Sequence, residues 1–370
     1  MKELRIKDIC DKGSSNLKQK DVEGKNGQYP VFGASGIISH IDTYHQEGNY
    51  IAVVKDGSGI GRVTFMPAKS SVIGTMQYIL PKDGFNINYI GYCLQSLDLS
   101  KYKQGAAIPH IYFRDYGERI VKVSEDINEQ QSIVDYLDSA FAKIDAMKAN
   151  AEKALNEVKA LFQASLKEML EPKEGWEEKA LKDLGQTQTG TTPSKSDKSN
   201  YGDYIEFIRP SEIDYDGNGR IDYNCEIKLS EQGASKGRKF ASNSILMVCI
   251  GATIGKVGFS IKEVSCNQQI NVFTPSNDLN YKFVYYAMRS PSFQHRVIKE
   301  GTSSQATLPI INKGKWEQLS ISFPEIKEQE VIATHLDNLS SKVSDLKENY
   351  DKISLECDAL KQSILRQVFE

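Results

Sequence analysis

Apolar residues recur at alternating steps of three and four along two stretches of the chain, Ile127–Glu171 and Ile326–Glu370. In the second, Leu336, Val343, Tyr350, Cys357 and Ile364 alternate with Leu339, Leu346, Ile353 and Leu360. In the first, Leu137, Ile144, Ala151 and Val158 alternate with Ala140, Met147, Ala154 and Leu161. Lys and Glu fill the positions between, so the spacing predicts two long coiled-coil helices. About 33 residues at ~1.5 Å each make a rod on the order of 50 Å. Phe141, Leu155 and Phe162 widen the apolar stripe of the first helix, so it is expected to contact partners beyond its sister helix.

The two stretches align without a gap, which makes them an internal repeat. Glu129, Gln130, Ile133, Leu137 and Asp138 fall on Glu328, Gln329, Ile332, Leu336 and Asp337. The segments before each helix repeat more loosely. Val54–Phe65 echoes Val248–Phe259, Gln77 is matched with Gln269, and Asn88-Tyr89 recurs as Asn280-Tyr281. The tracts KQGAAIPHI and GTSSQATLPII resemble each other, and Ile6-Lys7-Asp8-Ile9 reappears as Leu181-Lys182-Asp183-Leu184. Short alternating runs between Gly, Asn and Pro turns predict strands at Asn49–Val54, Gly61–Met66, Ser244–Ile250 and Gly255–Ser260. The expected organisation is α+β: a globule at 1–126, a helix at 127–171, a second globule at 172–325 and a second helix at 326–370.

Composition narrows the class. With 370 residues, 39% hydrophobic and 26% charged, the chain can bury a substantial core. The strongest apolar run, Ile245–Ile250, stops at Gly251, far short of a membrane span, so no membrane partner is expected. The opening MKELRIKDICDKG lacks the apolar block of a signal peptide, which leads to the expectation of a cytoplasmic protein. Cys10, Cys93, Cys225, Cys249, Cys266 and Cys357 form no CxxC pair and read as reduced thiols. A net charge of −3 argues against a strong lone binder of nucleic acid. By segment the balance is +2 and +1 in the globules and −3 in each helix, so the excess acid lies on the rods.

Local motifs suggest chemistry without completing it. Gly57-Ser58-Gly59-Ile60-Gly61 has the look of a phosphate loop, but no GKS or GKT follows and strands flank it, so it reads as a strand–turn–strand. Asp214–Asp222 places oxygens at positions 1, 3, 5 and 9 of a Ca²⁺ loop, with Gly219 at the sixth. Cys225 occupies the twelfth position, where a Glu should close the shell, so a metal loop and an Asp/Gly turn both stay open. Asp222 with Glu226-Ile227-Lys228 loosely follows a nuclease pattern, but the ExK triplet also occurs at Glu157 and Glu325. Phe32-Gly33-Ala34-Ser35-Gly36 has no Asn-Pro-Pro-aromatic or Asp-Pro-Pro-aromatic companion, as a methyltransferase would need. The histidines 40, 45, 110, 295 and 335 show no metal spacing and no adjacent nucleophile. No catalytic residue and no metal ligand is therefore assigned.

The repeat of globule plus long helix, each helix opening on an EQ turn, resembles the specificity subunit of type I restriction-modification systems across essentially the whole chain. The second half carries Thr189-Gly190-Thr191-Thr192-Pro193-Ser194-Lys195, Tyr201-Gly202, Phe207–Ile213, Cys266-Asn267-Gln268-Gln269-Ile270 and Phe323–Gln329. The first half carries Tyr29–Gly36 and Asp56-Gly57-Ser58-Gly59, but lacks the Gly-Thr-Thr-Pro-Ser tract. The resemblance implies two mixed α/β target recognition domains and two helices packed as an antiparallel coiled coil with an internal pseudo-twofold. It implies double-stranded DNA as ligand, with each domain reading half of a split site and the helices setting the spacer. It also implies two methylation subunits and restriction subunits as partners, with S-adenosylmethionine, ATP and Mg held by those partners and no cofactor in this chain.

Phosphates call for cations and hydroxyls, and base edges for Arg, Asn, Gln and Lys. On that basis the expected DNA contacts are Lys18, Lys20, Lys25, Lys55, Arg62 and Gln77 in the first domain. In the second they are Thr191, Thr192, Ser194, Lys195, Lys198, Arg209, Lys236, Arg238, Lys256, Gln268 and Gln269. Lys195 and Arg209 are expected to be removable without unfolding the chain. Phe141, Leu155 and Phe162 are the expected partner contacts. The competing readings are a coiled-coil scaffold for other proteins and an autonomous nuclease or methyltransferase.

Overall fold

In the computed structural model, which describes residues 1–105, 109–214, 219–302 and 308–370, one arrangement of strands occurs twice. Residues 106–108, 215–218 and 303–307 are not described. Parts of the KQGAAIPHI and GTSSQATLPII tracts and the centre of the Asp214–Asp222 loop therefore lie outside the described residues. The chain divides into two units: Met1–Asn150 with Lys352–Glu370, and Ala151–Asp351.

In the first unit, an antiparallel sheet orders Cys10–Ser14, Met76–Pro81, Tyr50–Val54 and Val63–Met66. Tyr50–Val54 is buried along its whole length, as a central strand rich in β-branched residues should be. The glycine run is the connection expected: Val53 pairs with Val63, and Gly57, Gly59 and Gly61 all adopt positive φ between the two strands. A smaller sheet joins Gly36–Ile41, Tyr29–Gly33 and Ser71–Val72, so the Phe32–Gly36 tract is a hairpin turn. Lys2–Arg5 pairs with Ile120–Val123.

The second unit repeats this plan. Its larger sheet orders Gly185–Thr189, Ile270–Pro275, Ile245–Val248 and Val257–Phe259. Lys228–Leu229, Tyr201–Ile208 and Ser265–Cys266 form the smaller sheet, and Glu177–Ala180 pairs with Ser320–Phe323. In both units the short third strand runs parallel to its neighbour, Val31 beside Ser71 and Phe207 beside Ser265. The registers give an equivalence that residue identity misplaces. Val54 faces Met76 and Val248 faces Ile270, so Gln77 corresponds to Asn271, two residues beyond Gln269.

The long helices are Ile127–Met169 and Ile326–Phe369. They form an antiparallel coiled coil, traced in each unit by opposite ends. In the first unit Cys357 Sγ lies 3.8 Å from the Ile144 carbonyl, Lys148 pairs with Asp358 at 3.4 Å, and the Lys361 ammonium sits 5.4 Å from the Phe141 ring centre. In the second, Phe162, Leu166 and Leu170 cluster with Ile332, Leu336 and Val343.

The seam is shifted from the expected one. Leu137 and Ile144 are buried as expected, but their alternating partners are Phe141, Leu155 and Phe162, while Met147 and Leu161 are exposed. The stripe assigned to outside partners is thus taken up by this chain. Phe141 packs edge-on against Tyr92, and Phe162 against Tyr286 beneath the Arg289 guanidinium. Among the described residues no helix is long and apolar enough to cross a membrane.

Candidate nucleic-acid interface

The repeated EQ and LD pairs join each globule to its helix. Gln130 is fully buried, and its side-chain oxygen accepts the Asn86 N–H at 2.6 Å. Its amide donates to the carbonyls of Gly84 and Ser124 at 3.0 and 2.9 Å. Gln329 repeats this, accepting from Asn280 N–H at 2.9 Å and donating to the Pro324 carbonyl at 2.9 Å. Asn86 and Asn280 in turn cap the helices Ile87–Ser96 and Tyr281–Arg289. Two turns later Asp138 accepts from the Tyr92 hydroxyl, and Asp337 from Tyr286 at 2.6 Å. Burial, reinforced by these carboxylates, pushes both phenols above their ordinary range, so they stay protonated donors. Leu137 and Leu336, beside the aspartates, are fully buried. Each globule is therefore held on its helix by the same three side chains.

In the second unit most of the expected contacts converge on one edge. After the strand Gly185–Thr189 the backbone turns at Gly190, where a Cβ would lie 2.1 Å from the Asn267 carbonyl, so only glycine allows the approach. The tract beyond is tethered along its length. Arg238 donates to the Thr189 carbonyl, Thr192 to the Gln268 side chain, Asn200 to the Ser194 carbonyl at 3.1 Å and Tyr201 to the Pro193 carbonyl at 3.0 Å. Lys236 bridges Asp197 and Asn200, each at 3.0 Å. Gln269 accepts from Asn267 at 2.9 Å, and Thr191 sits half-buried beside them. Ser194, Lys195 and Lys198 are exposed, and neither lysine is ion-paired to another described residue. The edge presents hydroxyls, amides and cations on a fixed backbone, as a duplex contact surface requires.

In the first unit Lys18, Lys20 and Lys25 are exposed around the short helix Gln19–Val22. Arg62 donates to the Ala34 carbonyl at 2.9 Å, and Lys256 reaches the Pro210 carbonyl at 3.3 Å. Those two carbonyls occupy equivalent places after equivalent strands, so the matched cations make the same local tie. Lys55 is half-buried beside Asp56.

The missing Gly-Thr-Thr-Pro-Ser tract also has a counterpart. Cys10 pairs with Pro81 as Gly185 pairs with Pro275, which sets Ser14–Gln19 against Thr189–Ser194 and Lys20 against Lys195. Ser14, Ser15 and Asn16 are therefore missed by motif matching. A gapless count from the repeated Ile6-Lys7-Asp8-Ile9 opening would find them.

Two expected contacts are corrected. Gln77 is 5% exposed and donates to the Tyr116 hydroxyl inside the unit, out of reach of a duplex. Arg209 opens a helical turn in which its backbone N–H and guanidinium bond Glu212 at 2.8 and 2.7 Å, and Glu226 adds a pair at 3.3 Å. Burial alone would raise the Glu212 carboxyl, but bonds from Arg209 and Ser211 hold it below its usual value. Arg209 is thus a structural partner for a buried carboxylate.

The ExK residues are also accounted for by this local structure: Glu226 pairs with Arg209, and Asp222 caps its own turn at Asn224 N–H. No group of three potential metal ligands occurs among the described residues. All six cysteines are buried and free, and burial pushes the Cys10, Cys93 and Cys249 thiols up to about 12, where they are poor nucleophiles.

The two flanks of the helix pair differ. The Asp145–Lys361 and Lys148–Asp358 pairs occupy one flank. Heptad spacing places Met147, Leu161 and Leu360 on the other, all about half exposed.

The family described as the type I restriction modification DNA specificity domain matches residues 1–157 and 173–355. The chain is similar to the Haemophilus influenzae type I restriction enzyme HindI specificity subunit, 32% identical over 176 residues, covering 46% of this chain and 37% of that protein. It is also similar to the Methanocaldococcus jannaschii MjaIX specificity subunit, 26% identical over 187 residues, with 49% and 42% covered. The matches thus span under half the length of these curated relatives. Among solved structures, a chain from a study of complex assembly and conformational transition in the type I R-M system superposes with a TM-score of 0.74. That match has 16% identity and covers 98% of this chain and 96% of the other. The HsdS subunit of Thermoanaerobacter tengcongensis gives 0.53 at 14% identity, with 98% and 95% covered. Duplicated domains on paired helices and a family match through both halves lead to one assignment: this chain belongs to the type I restriction-modification DNA specificity-subunit family.

Proposed function

We propose that this chain is the address-reading, non-catalytic subunit of a type I restriction-modification complex in the cytoplasm. Each unit reads one half of a bipartite duplex site, and the helix pair sets the spacer. Two methylation subunits dock on the helices and units, and restriction subunits join that core. S-adenosylmethionine, ATP and Mg belong to those partners. The observation that carries the reading is the duplicated strand order with a duplicated Gln–Asp attachment to the helix. Two similar domains built from different residues suit an asymmetric site, because neither half need match the other. The exposed Met147, Leu161 and Leu360 support the helices as a partner surface. Near-neutral globules support a reader whose affinity is completed by other subunits.

The test is selection from a random duplex library by the chain mixed with a methylation subunit. Recovery of a split motif that depends on the partner is expected. Methylation or cleavage by this chain alone would overturn the reading, and a complex with no DNA selectivity would favour a scaffold.

A further inference from the structure

The first unit carries a groove of about 650 Å³ between Ser14–Asn16 and Tyr44–Gln46, with Tyr78 at its floor. We propose that this groove is the base-reading site of the first unit and takes a purine edge in the major groove of duplex DNA. This rests on the proposed function and names where one half-site is read.

The groove lining bears hydroxyls, amides and one imidazole, with no Lys, Arg, Asp or Glu. Phosphate binding calls for cations, whereas base edges are read by paired donors and acceptors. The cations come just outside, at exposed Lys18 and Lys20, two and four residues after Asn16. Phosphate anchoring and base reading are thereby separated along one short segment.

The floor fixes the imidazole. Tyr78 is buried, and its oxygen accepts the Val72 N–H at 3.0 Å. His45 Nδ1 lies 3.0 Å from the same oxygen, and the His45 backbone N–H donates to Ser71 Oγ at 2.9 Å. Burial raises the Tyr78 phenol, which keeps its proton. With Nδ1 held at the Tyr78 hydroxyl, the Nε2 edge of the imidazole is the one left for a ligand. The exposed ring then offers one oriented nitrogen, which as a donor matches purine N7 or guanine O6. The exposed Asn16 amide and half-buried Gln46 amide have the donor–acceptor pair that matches adenine N6 and N7.

The equivalent place in the second unit differs in chemistry. Asn16 corresponds to Thr191, and Tyr78 to Val272, so the tyrosine-fixed histidine has no counterpart there. Two faces with one topology and different donors are what an asymmetric target demands.

The experiment uses the assembled complex with its methylation subunit and the random duplex library, comparing wild type with His45→Ala, Asn16→Ala and Tyr78→Phe. Thr192→Ala with Gln268→Ala serves as the second-unit control. His45 and Asn16 are exposed, so those two variants keep the test valid if Tyr78→Phe lowers stability. The expected result is a roughly tenfold loss of preference at one or more purine positions in one half-site, the other half unchanged. The control should relax the opposite half. A wild-type split motif retained unaltered by His45→Ala and Asn16→Ala overturns the groove while leaving the proposed function standing. So does a uniform loss of affinity with base preference intact. A wild-type complex that recovers no motif overturns both.

Discussion

Replacing Gln130 by Ala removes the most connected side chain at the start of the first long helix. Three hydrogen bonds of 2.6, 3.0 and 2.9 Å disappear. The Asn86 N–H, Gly84 carbonyl and Ser124 carbonyl are left around a fully buried position. At about 1 kcal/mol for each bond, the expected loss is ~3 kcal/mol. For a unit of this size that lowers the midpoint of its thermal transition by about 6–12 °C. Gln130→Glu should be worse at neutral pH, because it keeps the acceptor toward Asn86 but turns an ionised oxygen toward two carbonyls. Gln131→Ala, one position on and exposed, should stay within about 0.5 kcal/mol. Calorimetry with hydrogen exchange at the Asn86 amide would measure this directly. If Gln130→Ala melts within a degree of wild type and Asn86 remains protected, the attachment is redundant and the repeated EQ pair does not hold globule to helix.

Arg209→Ala should destabilise the second unit by about 2 kcal/mol by stranding Glu212, and Glu212→Gln in the same chain should recover much of the loss in urea titrations. Because the Glu212 carboxyl is held below its ordinary value of 4.5, its contribution is present above that pH and fades as pH falls through the lowered value; the double variant should lack this acid-side loss. Lys20→Ala and Lys195→Ala should each leave stability within about 0.5 kcal/mol while reducing the salt dependence of DNA binding by the complex by about one counterion, as read from log Kd against log salt. Inserting one heptad into both long helices, about 10 Å of rise, should lengthen the preferred spacer by about 3 base pairs with half-site bases kept; an unchanged spacer in the selected motif would contradict the ruler. Met147→Lys with Leu360→Lys should cut capture of the methylation subunit on a sizing column without moving the melting temperature, since both side chains are already about half exposed.

Much of the plan is legible because duplication lets one half check the other. The EQ and LD pairs stand out in a gapless alignment, and the structure shows why both recur. Glutamine and aspartate each bond the globule, and leucine fills the core between them. Four features are hidden for identifiable reasons. The coiled-coil seam is easily misplaced because Met147 and Leu161 are as apolar as true core residues, while half-buried Lys148 and Lys159 occupy seam positions through their long methylene stems. Gln77 matches Gln269 by identity, although strand register pairs it with Asn271, and register decides which side chains face inward. Arg209 looks like a phosphate contact because its partner is three residues away in a turn; the Arg-Pro-Ser-Glu spacing is a readable capping signal. The equivalence of Ser14–Asn16 to Thr189–Thr191 is obscured since the two segments share no identity and are related only through backbone pairing.

The exchange of helix ends also orders the birth of the protein. The core of the first unit includes Leu365 and Phe369, the latter with its ring centre 5.2 Å from that of Tyr89, and Lys122 reaches the Glu370 carbonyl at 3.0 Å. Those residues leave the ribosome more than 200 positions after most of the core they complete. The second unit, drawn from the continuous stretch Ala151–Asp351, can close earlier. The globule that is made before the other is therefore completed after it, waiting with an open apolar face while the second unit is synthesised. Loss of the final two helical turns would injure the beginning of the chain rather than its neighbours in sequence, and non-local closure of this kind makes folding of the first unit slow and sensitive to where synthesis stops.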